Sequence, residues 1–280
     1  MFEWLILSMK AIYNSRIIDQ EDIQISTNNR AFCYGDGLFE TIVTGPRRIN
    51  LIDDHIKRLK ADCRVLRLDF PEEIEQNLRK WMEQLSQLNT LQGDVRTKIN
   101  VWRKEGGLYS PTDNCGEFLI TVKESEKPVY RANENIGISK SVANHYSSHS
   151  KIKSVNALNY VLAGIEKDER KLNEIIILDS DGNLSETHIG NLFWIKDERL
   201  FTPSLETGCI AGIMRGFIID FYNGRIEQVK VKPEKLIEAE SIFSTNASGI
   251  EYFKFLEGSE KEFIAPDNTL KDLIKRIQQP

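Results

Sequence analysis

Lys153, in the stretch KIKSVNALNYVLA, is the residue whose type and place could do the most chemistry. Downstream of it the apolar residues Val155, Leu158, Val161, Leu162 and Ile165 recur at spacings of three and four, which predicts a helix with one buried stripe. Lys153 stands just ahead of that helix and outside the stripe. A lysine stranded beside a buried face loses hydration, its pKa falls, and the amine becomes a nucleophile able to form a Schiff base. By default a lysine is a solvated surface residue, so its company must decide.

Three further features suit an anion. Gly208 and Gly212 in TGCIAGIMRG precede a helix beginning at Ile213, and a glycine entrance lets backbone N–H groups approach negative charge at the positive helix end. Ser244-Thr245-Asn246 follows an apolar strand and offers hydroxyls and an amide, although an ordinary turn reads the same way. Arg58 in DHIKRLK lies on a helix of the first half, where a buried arginine would want an anion and an exposed one would not.

The elements that must position these groups follow from patterning. Short apolar runs within residues 9–26 suit an edge hairpin. Gly35 and Gly37 mark a turn before an alternating strand at 38–44. Asn50 can cap a helix over 51–65, with Leu51, Ile56, Leu59 and Cys63 as its stripe. Pro71 followed by Glu72 and Glu73 opens a second helix to about 88. Strands are expected at 94–103 and 117–122 around a glycine-rich loop. The polar tract 123–135 then reads as a linker between an N-terminal domain, 1–122, and a C-terminal domain, 136–280. The second half is expected to hold strands at 136–141, 174–178, 189–195 and 241–244, and helices at 212–222 and 270–277. Such mixing argues an α+β fold rather than a doubly wound parallel sheet.

Composition narrows the function classes. At 280 residues and a formal net charge of -5 the chain has no basic excess, which argues against a nucleic-acid partner. Cys33, Cys63, Cys115 and Cys209 lie far apart and read as reduced thiols, which with the lack of any membrane-length apolar run places the chain in the cytoplasm. His145 and His149 are four apart without flanking ligands, so no metal site is expected. The run Trp4 to Leu7 is too short for a signal segment, and Met1 and Met9 are both candidate starts.

The segments NRAFCYGDGLFET, HIKRL, KSVNALNYVLA, LSETHIGNLFWI, FTP with GCIAGIMR, and STNA run in order from Asn29 to Ala247. Together they resemble the class IV, or fold type IV, pyridoxal-phosphate enzymes. That family holds branched-chain aminotransferases, D-amino-acid aminotransferases and 4-amino-4-deoxychorismate lyases. The resemblance implies a smaller N-terminal α/β sandwich-like domain, a larger C-terminal domain with a pseudo-barrel, and a homodimer whose site lies between the domains. It also implies pyridoxal 5'-phosphate as cofactor, with Lys153 as the Schiff-base lysine and proton shuttle. Arg58, the backbone of Ile213 and Met214, Thr245 and Asn246 would bind the phosphate. Some relatives carry a threonine where this chain has Met214, so one hydroxyl contact is absent. Glu186 would sit by the pyridine nitrogen, where a carboxylate keeps the ring protonated and strengthens it as an electron sink. Lys151 does not align and is assigned to solvent.

Aminotransferase and lyase share the removal of the substrate α-proton and part afterwards, so the substrate pocket decides between them. Tyr34, Glu40, Lys98, Arg103 and Tyr109 are the residues expected to line it. The Phe39-Glu40 pair is similar to the aminotransferases, whereas the loop WRKEGGLYSP is similar to that of the lyases. An Arg-x-His pair like that of the D-amino-acid enzymes is lacking; Ser110 and Thr112 stand there. The reading leans to an amino-acid aminotransferase of branched-chain type. The alternatives are the lyase, which releases pyruvate and 4-aminobenzoate, and a member that binds cofactor without turnover.

Overall fold

The computed structural model describes residues 8–279 and divides them into two compact units. The run Trp4 to Leu7 lies outside the described residues. The first unit takes residues up to Pro46, Asn50–Glu126 and Lys153–Asn156; the second takes Arg47–Ile49, Lys127–Ile152 and Ala157–Pro280. Lys153 therefore folds with the N-terminal half of the chain, although the helix after it belongs to the second unit.

The first unit is a five-stranded antiparallel sheet ordered β2-β1-β5-β4-β3. Its strands are β1 (Lys10–Tyr13), β2 (Arg16–Asp19), β3 (Gly37–Thr44), β4 (Val95–Arg103) and β5 (Gly116–Glu124). The hairpin β1–β2 forms the edge its short apolar runs predict. A short helix α1 (Arg30–Tyr34), unforeseen in the sequence, is capped by the Asn29 side chain and stopped by Gly35 in the left-handed region. Helices α2 (Ile52–Val65) and α3 (Glu72–Leu88) form where expected; α2 buries Ile56, Leu59 and Cys63 of its expected stripe and packs on β3, while α3 packs on β5 and β1. The N-cap of α2 is Leu51 rather than the expected Asn50, whose side chain accepts from the Ile52 N–H at 3.1 Å from one residue further out. Alternation along β3 sends Leu38, Glu40 and Ile42 into the core with Leu59 and Ile99, and leaves Phe39 and Thr41 half-buried.

The second unit is an eight-stranded mixed sheet ordered β11-β10-β9-β12-β13-β6-β7-β8. Its strands are β6 (Tyr130–Asn144), β7 (Glu174–Asp179), β8 (Leu184–Thr187), β9 (Asn191–Lys196), β10 (Arg199–Pro203), β11 (Glu227–Val229), β12 (Ser241–Asn246) and β13 (Gly249–Leu256). The pairs β6–β7, β6–β13 and β10–β11 are parallel and the other pairs antiparallel, in keeping with an α+β fold. Helices α4 (Leu158–Glu169), α5 (Ile213–Phe221) and α6 (Asp267–Ile277) complete it. The tract 123–135 holds the end of β5 and the first six residues of β6, so only Ser125 to Val129 lie between strands. No helix among the described residues is long and apolar enough to cross a membrane.

One expectation is overturned. The stripe Leu158, Val161, Leu162 and Ile165 faces outward and is exposed. Helix α4 instead turns a polar face inward, through Asn159, Tyr160, Ala163 and Glu166. The Asn159 amide donates to the Ala143 carbonyl at 3.0 Å. Glu166 accepts from the hydroxyls of Ser139 and Ser141 and from the N–H groups of Lys140 and Ser141, and it is paired with Arg170. Periodicity finds a helix face, but partners for its polar groups decided which face is buried.

Candidate active site

Within the first unit, residues 153–156 run alongside β3 as an added piece of strand. The Phe39 N–H donates to the Lys153 carbonyl and the Val155 N–H to the Gly37 carbonyl, both at 3.0 Å, and Leu38 bridges to Ser154. The Lys153 N–H donates to the carboxylate of Asp62, on α2, at 3.0 Å. Lys153 is thereby fixed at the backbone, and its Nζ lies 4.4 Å from the centre of the Phe39 ring. Lys98 reaches the same ring at 5.5 Å, and burial together with the charge of Arg96 pulls its pKa down. Two ammonium groups thus share one aromatic surface. Lys151 is exposed and holds the Ala211 N–H through its carbonyl only.

Arg58 projects from α2 toward β3. Its Nε donates to one oxygen of Glu40 at 2.7 Å and its Nη2 to the other at 2.6 Å; His55 Nδ1 meets that second oxygen at 2.7 Å. Glu40 is 1% exposed. Burial pushes its carboxyl up, but the charge of Arg58 and the bonds from His55 and Arg58 outweigh this and bring it down to about 2. Glu40 was expected to line the substrate pocket; both its oxygens are taken inside the core by Arg58 and His55, an arrangement that fixes the direction of the Arg58 guanidinium. A carboxyl depressed from 4.5 to about 2 stabilises the fold above the unfolded-state pKa. That contribution is lost as pH falls through the native one. Glu40→Gln should flatten the fall in melting temperature between pH 4.5 and about 2, as scanning calorimetry would report.

Arg103, also expected at the substrate pocket, is likewise buried and paired. It is 5% exposed, and its five N–H groups meet five acceptors: both oxygens of Asp36, the carbonyls of Leu66 and Arg67, and Asn114 Oδ1. No donor is left for a substrate carboxylate. Asp36 is shared with Arg30, whose Nη1 gathers the carbonyls of Gly106, Gly107 and Leu108 and so shapes the glycine-rich loop. That loop sets Tyr109 against Tyr34, ring centres 5.6 Å apart, and both tyrosines are exposed.

The second unit builds a separate cluster around Glu186, on β8. Its Oε1 accepts from the Tyr160 hydroxyl at 2.7 Å, Asn144 Nδ2 at 3.1 Å and the Ile210 N–H at 3.2 Å. Its Oε2 accepts from the same Ile210 N–H at 3.1 Å and from Asn191 Nδ2 at 3.4 Å. Burial first, and the Glu186 carboxylate second, push the Tyr160 phenol far up and the Cys209 thiol up to about 12. Asn191 also donates to the Ile210 carbonyl, and a side chain at Gly212 would strike it, so the start of α5 is drawn against this cluster. Gly212 caps α5 without a side-chain bond, which leaves the first-turn N–H groups of Ile213 and Met214 for another acceptor. Thr245 is the register partner of Asn191. The hydroxyls of Thr245 and Ser244 are buried with no partner among the described residues. The two hydroxyls point to opposite faces of β12, and the pairing with Asn191 puts that of Thr245 on the face of the open helix start, where an orphaned hydroxyl is what a phosphate takes up. Asn246 turns its Oδ1 to the Ser248 N–H at 2.8 Å.

Of the residues singled out by sequence, the first unit brings Lys153 and Lys98 together and pairs Arg58 with Glu40. The second gathers Glu186, the start of α5 and Thr245. Asp62, His55, Asn144, Tyr160 and Asn191 were missed. Asn191 follows Gly190 five residues after the predicted acid Glu186, within the same quoted segment LSETHIGNLFWI, which could have flagged it; the others carry no local signal.

A model of the family described as Amino-transferase class IV matches residues 37–250. An aminodeoxychorismate lyase of Bacillus subtilis is 28% identical over 84% of this chain and 82% of its own. A putative branched-chain-amino-acid aminotransferase of Methanocaldococcus jannaschii is 28% identical over 86% of this chain and 85% of its own. The crystal structure of the Escherichia coli branched-chain amino acid aminotransferase superposes with a TM-score of 0.85 at 19% identity, covering 97% of this chain and 95% of that one.

Proposed function

The chain belongs to the class IV aminotransferase family of pyridoxal-phosphate-dependent enzymes, and from that premise we propose that it is an amino-acid aminotransferase of branched-chain type. The observation that carries the reading is Lys153, locked to β3 with its amine on the Phe39 ring beside Lys98. It offers a fixed amine for the chemistry and a second cation for a substrate carboxylate.

The groups singled out by sequence have the chemistry to hold the cofactor. Thr245, with the N–H groups of Ile213 and Met214, would hold its phosphate, joined by Arg58 in the orientation Glu40 and His55 impose; Asn246 adds its amide. Glu186 would hold a proton at the pyridine nitrogen. When bound, pyridoxal phosphate supplies an electron-withdrawing ring that makes a substrate Cα–H bond acidic. Lys153 is the base that takes that proton and returns it. Lys98, with Tyr34 and Tyr109 on the glycine-rich loop, would receive the substrate. The outward apolar stripe of α4 supports a homodimer, and four free cysteines suit a cytoplasmic protein.

A second reading, aminodeoxychorismate lyase, is favoured by the loop residues Gly106 and Gly107, whose carbonyls Arg30 holds, and by Tyr109 against Tyr34. Side-by-side assays separate the two. Amino acids with 2-oxoglutarate should yield glutamate, while aminodeoxychorismate should give no 4-aminobenzoate. The opposite pattern moves the protein to the lyases, and cofactor binding with neither product leaves a member without turnover.

A further inference from the structure

Within the first unit a cavity of about 480 Å³ lies between α1 and the open face of the sheet. Its volume falls in the range of about 300–1,000 Å³ that small-molecule sites occupy. Ile25 and Phe32 stand on one side of it, Asn100, Trp102 and Leu119 on the sheet, and Val155 beside the Lys153 strand. None of the residues that line it is charged. Strand register fixes its place relative to the amine. Ser154 bridges to Leu38, so Lys153 stands opposite Phe39 and Val155 opposite Gly37. Phe39 pairs in turn with Asn100, and Asn100 with Leu119. Paired residues share a face of the sheet, so Lys153, Phe39, Asn100 and Leu119 form one row. Val155, Gly37 and Trp102 form the next. With strands about 4.8 Å apart, the backbone of Asn100 lies about 10 Å from that of Lys153. Gly37 keeps the second row open: a Cβ there would come within 2.8 Å of the Val101 carbonyl oxygen and 3.1 Å of the Trp102 Cβ. Trp102 is a fixed wall, since its Nε1 donates to Glu117 at 3.1 Å and its ring stacks on Tyr13 with centres 6.1 Å apart.

We propose that this cavity receives the side chain of the amino donor, and that Trp102, Leu119 and Asn100 select a bulky uncharged one, aromatic as well as branched. The inference rests on the reading of Lys153 as the reacting amine of an aminotransferase. Lys98 lies two residues from Asn100 along β4 on the same face, with its amine 5.5 Å from the centre of the Phe39 ring. A donor with its carboxylate on Lys98 and its Cα at Lys153 sends its side chain past Phe39 toward Asn100. An isobutyl group fills a small part of the space. A phenyl ring fills more of it and meets the Trp102 indole as an aromatic pair, and a phenol hydroxyl reaches the Asn100 amide. A side-chain carboxylate finds no cation among the lining residues and loses its hydration there.

In the loaded full-length protein, the donor half-reaction is followed by the change in visible absorbance, without a 2-oxo acid. Alanine, leucine, phenylalanine, tyrosine and aspartate are given singly, in both enantiomers. The kcat/KM for phenylalanine should exceed that for alanine at least ~10-fold, the worth of burying the ring, and aspartate should fall below alanine. Leu119→Trp fills the cavity from β5 and should lower the phenylalanine-to-alanine ratio about 10-fold; Ala31→Phe, which fills it from α1, should do the same. Asn100→Leu should lower the tyrosine-to-phenylalanine ratio roughly fivefold, one hydrogen bond's worth. A second arm needs no turnover: calorimetry of 3-phenylpropanoate binding to the loaded protein, which both filling variants should weaken about 10-fold. Phenylalanine no better than alanine, or a ratio and an affinity unchanged in both filling variants, overturns the proposal. If no amino acid reacts, the aminotransferase reading fails, and calorimetry alone decides the cavity: weaker binding in the filling variants upholds it and equal binding overturns it.

Discussion

Lys153→Ala should bring transamination down by at least ~10²–10⁴-fold, the worth of a positioned general base alone, and should abolish borohydride-trapped labelling by pyridoxal phosphate. The local geometry makes this a clean substitution. Alanine keeps the N–H that Asp62 accepts and the carbonyl that Phe39 binds, so residues 153–156 stay on β3. What disappears is the amine over the Phe39 ring, a contact worth roughly 0.5–2 kcal/mol. The melting temperature should therefore stay within a few degrees of the parent while activity is lost. Lys151→Ala is the matched control, because that side chain is exposed and its carbonyl contact survives. It should label normally. Labelling that persists in Lys153→Ala and vanishes in Lys151→Ala would move the nucleophile by two residues.

How far the sequence foretold this arrangement depends on how local each signal was. Strand β3 and helices α2 and α3 were legible because their apolar periods lie within one short window. Strands β8, β10, β11 and β13 were missed. They are three to eight residues long, and β13 finds its parallel partner β6 more than a hundred residues away, so no window contains the pairing. Lys153 was singled out for a reason the fold reverses. The stripe that made its helix visible faces outward, and the lysine is placed by β3 and Asp62 instead. The pairing of Glu40 and Arg103 was hidden for a related reason. A charged residue beside a glycine turn looks available to a ligand, and burial with complete pairing cannot be seen from type and spacing. The ring of donors around Glu186 comes from four separate stretches, at Asn144, Tyr160, Asn191 and Ile210, and is a property of the fold alone.

That ring makes Glu186 the second site of large expected effect. Tyr160, Asn144, Asn191 and the Ile210 N–H all donate to it, and only an ionised carboxylate accepts at both oxygens without offering a proton back. Glu186→Gln would place an NH₂ group against at least one of these donors and leave it unsatisfied, at about 1–3 kcal/mol. Glu186→Ala removes the charge and leaves the donors without an acceptor. If Glu186 holds the proton at the cofactor ring nitrogen, both substitutions should cut kcat by roughly 10²–10³-fold, the range seen when one preorganised electrostatic group is removed from an active site. The KM for the amino donor should change far less, because Glu186 meets the ring rather than the substrate. A structural role alone predicts another pattern: a lower melting temperature, with kcat per folded molecule kept. Steady-state kinetics normalised to bound cofactor, alongside thermal melts, separates the two. Full turnover per bound cofactor in Glu186→Ala would remove Glu186 from the chemistry, and its donor ring would then be a device of folding.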